Sequence, residues 1–127
     1  MTEPTRATLR PTTYPVTRRA LVDYARASGD PNPIHQDPDV ARSVGLPDVI
    51  AHGMFTLALA ARYVDEQLGT AGRIVELGAK FTKPVVVPEG GTEVRIEGTW
   101  RDEQTISLVV TCGGERVLGN PVAVVRD

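Results

Sequence analysis

His52-Gly-Met-Phe-Thr-Leu-Ala-Leu-Ala-Ala-Arg-Tyr-Val-Asp-Glu-Gln-Leu68 is the stretch on which the fold turns. Met54, Leu57, Ala58, Ala61, Val64 and Leu68 recur at spacings of three and four, the period of one helix face. Phe55, Leu59 and Ala60 widen that stripe until most of the helix is apolar. A helix apolar nearly all round must be enclosed by something else. It is too short for a span of about 20 residues, and its neighbourhood contains His52 and Arg62, so a membrane is not what encloses it.

The chain after this helix supplies the enclosure. From residue 73 to 125 the pattern changes to alternation. Val75, Leu77, Ala79 and Phe81 alternate with polar or small residues, and Val94, Ile96 and Trp100 alternate with Glu93, Arg95, Glu97 and Arg101. Gln104 to Cys112 and Arg116 to Val125 read as a hairpin around Gly113-Gly114. Pro121 inside the last run implies an edge or a bulge. Short connections favour antiparallel pairing. Ahead of the long helix, Thr17 caps a helix through Ala27 that ends at Gly29, with Leu21, Tyr24, Ala25 and Ser28 on one face. Asp37-Pro38-Asp39 starts a second, short helix that Gly45 and Pro47 stop. An early strand from Ala7 to Val16 completes an α+β domain, an antiparallel sheet packed on one long helix.

Composition narrows the function classes. At 127 residues the chain fits one domain, spanning 1–127, with a core of its own. Its 41% hydrophobic and 24% charged residues exclude whole-chain disorder. Fourteen basic and sixteen acidic residues leave a net charge of -2, so nothing pulls it toward nucleic acid or an anionic membrane. Its one cysteine, Cys112, cannot close an intrachain disulfide, and residues 1–19 contain no apolar signal core. Both point to a soluble, cytoplasmic protein.

The densest polar cluster is Ser28-Gly29-Asp30-Pro31-Asn32-Pro33-Ile34-His35-Gln36-Asp37, between two helices. Pro31 and Pro33 stiffen it. A turn through Pro31-Asn32-Pro33 can aim Asp30 and His35 at one point, with Asn32 bonding nearby backbone. The plain alternative is an ordinary connecting loop with His35 on the surface. A calcium loop fails, because His35 stands where glycine is needed and Ala41 where a glutamate is needed. The second cluster is Ala51-His52-Gly53-Met54, where free N–H groups and the positive dipole end gather and Gly53 has no side chain to block approach. Here too a structural account competes, with His52 as a helix cap and Gly53 as a packing residue. A metal shared by Asp30, His35 and His52 fits no familiar ligand spacing. No G-x-S-x-G occurs, and Cys112 reads as core or edge rather than nucleophile. Lys80 and Lys83 form a small basic spot, read as a solvated strand face before a phosphate contact.

Tyr24-Ala-Arg-Ala-Ser28-Gly29-Asp30-Pro31-Asn32-Pro33-Ile34-His35, with Ala41 after five more residues, resembles the hydratase-2 motif of the MaoC-like dehydratases, the (R)-specific enoyl-thioester hydratases. Ala51-His52-Gly53-Met54 resembles that family's second element, at the start of its central helix, and Phe81 to Pro88 its following strand and turn. The finer likeness is to catalytic subunits of actinobacterial (3R)-hydroxyacyl-ACP dehydratases. The resemblance implies a single hot-dog fold, an antiparallel sheet wrapped around a long central helix. It also implies reversible hydration of trans-2-enoyl thioesters, or dehydration of (3R)-3-hydroxyacyl thioesters, carried on CoA or acyl carrier protein. Asp30 and His35 would be the catalytic pair, their roles as acid and base open. Gly53 N–H would bind the thioester oxygen, and Asn32 and His52 would support them. No metal or cofactor is implied. A homodimer or a heterodimer with a companion hot-dog subunit is implied, with the acyl tunnel at the interface. Some members carry a serine about two turns beyond the glycine, where this chain has Ala60 and Ala61. An acyl thioesterase and a non-catalytic hot-dog partner subunit are the alternatives on the same fold.

Overall fold

The computed structural model describes residues 8–127. Strand β1 (Thr8–Val16) is followed by α1 (Arg18–Ser28), a 3-10 turn (Pro33–His35), α2 (Pro38–Ser43) and the long α3 (Gly53–Leu68). Strands β2 (Ile74–Phe81), β3 (Thr92–Trp100), β4 (Thr105–Cys112), β5 (Glu115–Arg116) and β6 (Leu118–Val125) complete the order. Ala7, expected to open the first strand, lies outside the described residues. Among the described residues no helix is long and apolar enough to cross a membrane.

Local chemistry places the helix ends. Thr17 Oγ1 accepts the Ala20 N–H at 3.1 Å, and Gly29 closes α1 with φ 73°, a left-handed conformation that costs glycine little. Asp37 accepts the N–H groups of Asp39 and Val40 and so starts α2, with Pro38 in its first turn. α3 begins at Gly53, one residue later than its pattern suggests.

All strand pairings are antiparallel, in the spatial order β1-β3-β4-β6-β2. β1 and β2 are opposite ends of that order, yet both pack on α3. The sheet must therefore curl around the helix. Leu59, Ala60, Tyr63 and Val64 of α3 join Val94, Ile96, Ile106, Val110 and other strand residues in one core. The enclosure is not complete. Met54 is 57% exposed and Ala58 is exposed too, because the sheet of one chain covers only the face centred on Leu59 and Tyr63.

Besides β1, where the register shifts between Leu9 and Thr12, two strands depart from simple alternation. In β2 the register shifts between Ile74 and Glu76, so Ile74 packs against the core and Val75 is 59% exposed. Leu77 and Ala79 face inward as expected, but Phe81 turns outward, 56% exposed. β2 is a terminal strand, so only one neighbour holds its register. The final run is split at Val117 into β5 and β6, and Gly113 and Gly114 make the turn with φ 61° and 82°. Pro121 lies in an inner strand, not at an edge. Opposite Gly78–Lys80, β6 carries one extra residue, and Asn120 has φ 48°, so the bulge is what accommodates the proline.

Tyr63 fastens α3 to β1. Its ring is fully buried, and its hydroxyl donates to the Arg10 carbonyl at 2.8 Å. Tyr63→Phe should cost about 1 kcal/mol for the lost hydrogen bond, and Tyr63→Ala about 3–5 kcal/mol for the cavity, both read by urea unfolding. Equal losses for the two variants would mean that the ring itself carries none of the core.

Candidate active site

The loop after α1 is a chain of side-chain-to-backbone turns. Asp30 N–H donates to Ser28 Oγ at 3.3 Å, Asn32 N–H to Asp30 Oδ1 at 3.2 Å, and Ile34 N–H to Asn32 Oδ1 at 3.2 Å. Asn32 thereby starts the 3-10 turn that delivers His35. A second set of bonds fixes this loop to the body. Ile50 N–H donates to the Ile34 carbonyl at 3.2 Å, while Ala51 N–H and the Val49 carbonyl bond the segment at Val85–Val87. Arg18 ties the same region together, reaching Asp48 at 2.7 Å and the Val87 carbonyl at 3.2 Å.

His35 is buried, at 8% exposure, not on the surface. Its Nδ1 lies 2.7 Å from the Ile50 carbonyl. A carbonyl can only accept, so Nδ1 carries the proton and neutral His35 presents a bare Nε2. Burial holds the His35 pKa below its ordinary 6.5 and His52 adds to the lowering, while the Ile50 hydrogen bond and Asp30 oppose it.

His52 sits at the start of α3 but makes no capping bond with its side chain. Instead its Nε2–H donates to the Asp30 carbonyl at 3.2 Å, and its ring stacks on His35 with centroids 3.7 Å apart. Tyr24 packs its ring edge-on to His52 at 4.8 Å. One side chain thus touches both Asp30 and His35. Its Nδ1 is buried without a hydrogen-bond partner.

Asp30, His35 and His52, unrelated by sequence spacing, offer ligand-type atoms within 4.8 Å of one another. The ring planes argue against a shared metal. Lone pairs of imidazole nitrogens lie in the ring plane, and these two planes are only 23° apart and stacked. Their lone pairs therefore lie in two near-parallel planes and do not converge on one point as a tetrahedral ion requires. The same proximity suits a water molecule held between the Asp30 carboxylate and His35 Nε2.

Two cavities meet beside this cluster. One, of about 560 Å³, is lined by Asp30, His35, His52, Gly53, Tyr24 and Ser28, among others. The second, of about 270 Å³, has largely aliphatic walls, with Ile50, Val85, Val117 and Leu118, and also reaches His35 and Gly53. Gly53 is the first residue of α3, so its N–H has no intrahelical acceptor. A Cβ there would stand 3.0–3.2 Å from three ring carbons of Phe81, so the absence of a side chain is what lets Phe81 approach.

Two lining residues escaped the sequence reading. Thr56, 3% exposed, faces the smaller cavity; its signal was a hydroxyl in an otherwise apolar helical run. Phe81 reads in sequence as a core strand residue, and nothing in the alternation marks its outward turn. Lys83 is ion-paired with Glu115, so Lys80 and Lys83 are not a free basic pair. Cys112 packs partly buried against the core.

Comparison with known proteins places this geometry. A family model described as MaoC like domain matches residues 1–116. The 3-hydroxyacyl-thioester dehydratase X of Mycobacterium tuberculosis is 40% identical over 73 residues, covering 58% of this chain and 25% of that protein. The match therefore spans a quarter of that relative's length. A solved MaoC-like dehydratase superposes with a TM-score of 0.92 at 29% identity, over 98% of this chain and 41% of the other. The (R)-hydratase from A. caviae involved in PHA biosynthesis shares the fold, with a TM-score of 0.81 at 23% identity, over 99% and 98% of the two chains. A sheet curled around a long central helix is the architecture these relatives share: the chain belongs to the MaoC-like domain family and has its hot-dog fold.

Proposed function

We propose that this chain catalyses the reversible hydration of trans-2-enoyl thioesters, and so the dehydration of (3R)-3-hydroxyacyl thioesters, on CoA or acyl carrier protein in fatty-acid-type metabolism. The observation that carries this reading is the approach of Asp30 and His35 to within 4.8 Å in a cavity that also contains Gly53.

Hydration adds a hydroxyl to the β-carbon and a proton to the α-carbon while the thioester oxygen gains enolate charge. His35 Nε2 takes a proton from the water that Asp30 holds, and the hydroxyl attacks the β-carbon. Gly53 N–H, at the positive end of α3, stabilises the oxygen as charge develops. The imidazolium then returns its proton to the α-carbon, closing the balance. Asn32 and His52 hold the two catalytic groups in place. The scheme draws on no metal or cofactor.

Partners and location belong to the same proposal. The free edge of β2 and the open face at Met54 suit a second hot-dog subunit, identical or a companion chain. The single, partly buried cysteine suits a reducing cytoplasm.

The test is loss of conjugated-enoyl absorbance on crotonyl-CoA, with product chirality determined; release of free thiol instead would point to a thioesterase. The pH profile gives a second check. His35 must be neutral to act as base, and its pKa lies below 6.5, held there by burial and His52 against the opposing Asp30. The midpoint of the acid limb of hydration kcat/KM should therefore lie below pH 6.5. An acid limb above pH 7 would remove His35 from the role of base.

A further inference from the structure

Phe81 stands where the two cavities join. It lines both, together with His35 and Gly53. Its Cε1, Cδ1 and Cζ atoms lie 3.0–3.2 Å from the point a Gly53 Cβ would occupy, so the ring covers the residue whose N–H faces the reaction. The side chain is 56% exposed, unlike Leu77 and Ala79 of the same strand, which pack against the core.

The backbone beneath it is anchored. Phe81 pairs with Leu118 in β6, and the next residue, Thr82, donates its N–H to the Val117 carbonyl at 3.2 Å. The result is a half-exposed aromatic ring on an anchored strand end. It can swing about its side-chain torsions without loosening the sheet.

We infer that Phe81 is the residue that sets the acyl length this protein accepts. The inference takes from the proposed function only that a thioester sits at Gly53. From there the tail enters the aliphatic cavity of about 270 Å³, and the ring stands at the junction of that cavity with the larger one at Asp30. Short tails fit with the ring in place. Long ones must displace it and lose its apolar contact with Gly53.

The test is calorimetric binding of saturated butyryl-, octanoyl- and dodecanoyl-CoA to the full chain and to Phe81→Ala and Phe81→Leu. Because the ring is exposed, both variants should fold. Phe81→Ala should raise the affinity for dodecanoyl-CoA relative to butyryl-CoA by about tenfold, as several methylenes gain a place out of water. Phe81→Leu should fall between it and the parent. A ratio unchanged within about twofold, a uniform loss along the series, or no binding by the parent chain would overturn the inference. Turnover of the matching enoyl-CoA series separates the two proposals. A shifted binding series without turnover retains Phe81 and removes the hydratase; turnover with an unshifted series does the reverse.

Discussion

His35→Ala is expected to lower enoyl-thioester turnover by about 10²–10⁴-fold, the range for loss of a positioned general acid or base, and Asp30→Asn to lower it as well, because a neutral amide replaces the carboxylate that holds the water. The two variants differ in what else they disturb. Asp30 is exposed, and an asparagine keeps an oxygen to accept the Asn32 N–H, so the fold should be untouched. His35 is buried, and alanine leaves the Ile50 carbonyl without its donor. That loss should cost about 1–3 kcal/mol of stability, so activity is to be normalised to folded protein. Near-parental rates in both folded variants would mean that the pair does not act on the substrate.

The second large effect concerns the amide of Gly53. Gly53→Pro should reduce kcat by about 10²–10³-fold, the usual loss for one oxyanion donor. Proline is well suited to this position. It is the first helical residue, where no intrahelical hydrogen bond is forfeited, and His52 before it already has φ -60° and ψ 139°, the extended backbone a following proline demands. The helix should therefore survive while its N–H disappears. Gly53→Ala is the control. It places the same Cβ against Phe81 but retains the N–H, and the ring is the mobile party in that contact. If the alanine and proline variants lose activity equally, crowding at Phe81 is the cause and the amide plays no part.

The approach of Asp30 to His35 was legible because its geometry is local. Only four residues, two of them prolines, stand between Asp30 and His35, and Asn32 makes the bond that such a turn requires. His52 was legible as a residue near the site but not in its manner of acting. The position at the head of α3 suggested a cap, whereas the side chain turns away to the Asp30 carbonyl and the His35 ring. That choice depends on how α1, the loop and α3 are brought together, which no spacing along the chain encodes. The partnerless Nδ1 of His52 likewise exists only in three dimensions.

The strands tell the same story at the level of the fold. β3 and β4 have neighbours on both sides, and over residues 93–98 and 105–110 their burial alternates with the period of two. β2 has one neighbour, and a shift of register exchanged Val75 for Ile74 on the inner face. Phe81 faces out and covers Gly53 for a related reason: where pairing holds from one side only, side-chain direction follows local contacts more than the period of two.

By itself the sequence determined the elements, the antiparallel sheet around an apolar helix, and the loop that carries Asp30 and His35. Periodicity, capping and turn chemistry act over a few residues, so they can be read along the chain. Tertiary structure alone decided the tautomer of His35, the double attachment of His52 and the place of Phe81 in the lining of two cavities. These depend on contacts between segments 15 to 30 residues apart, where small shifts in packing and register select the partner.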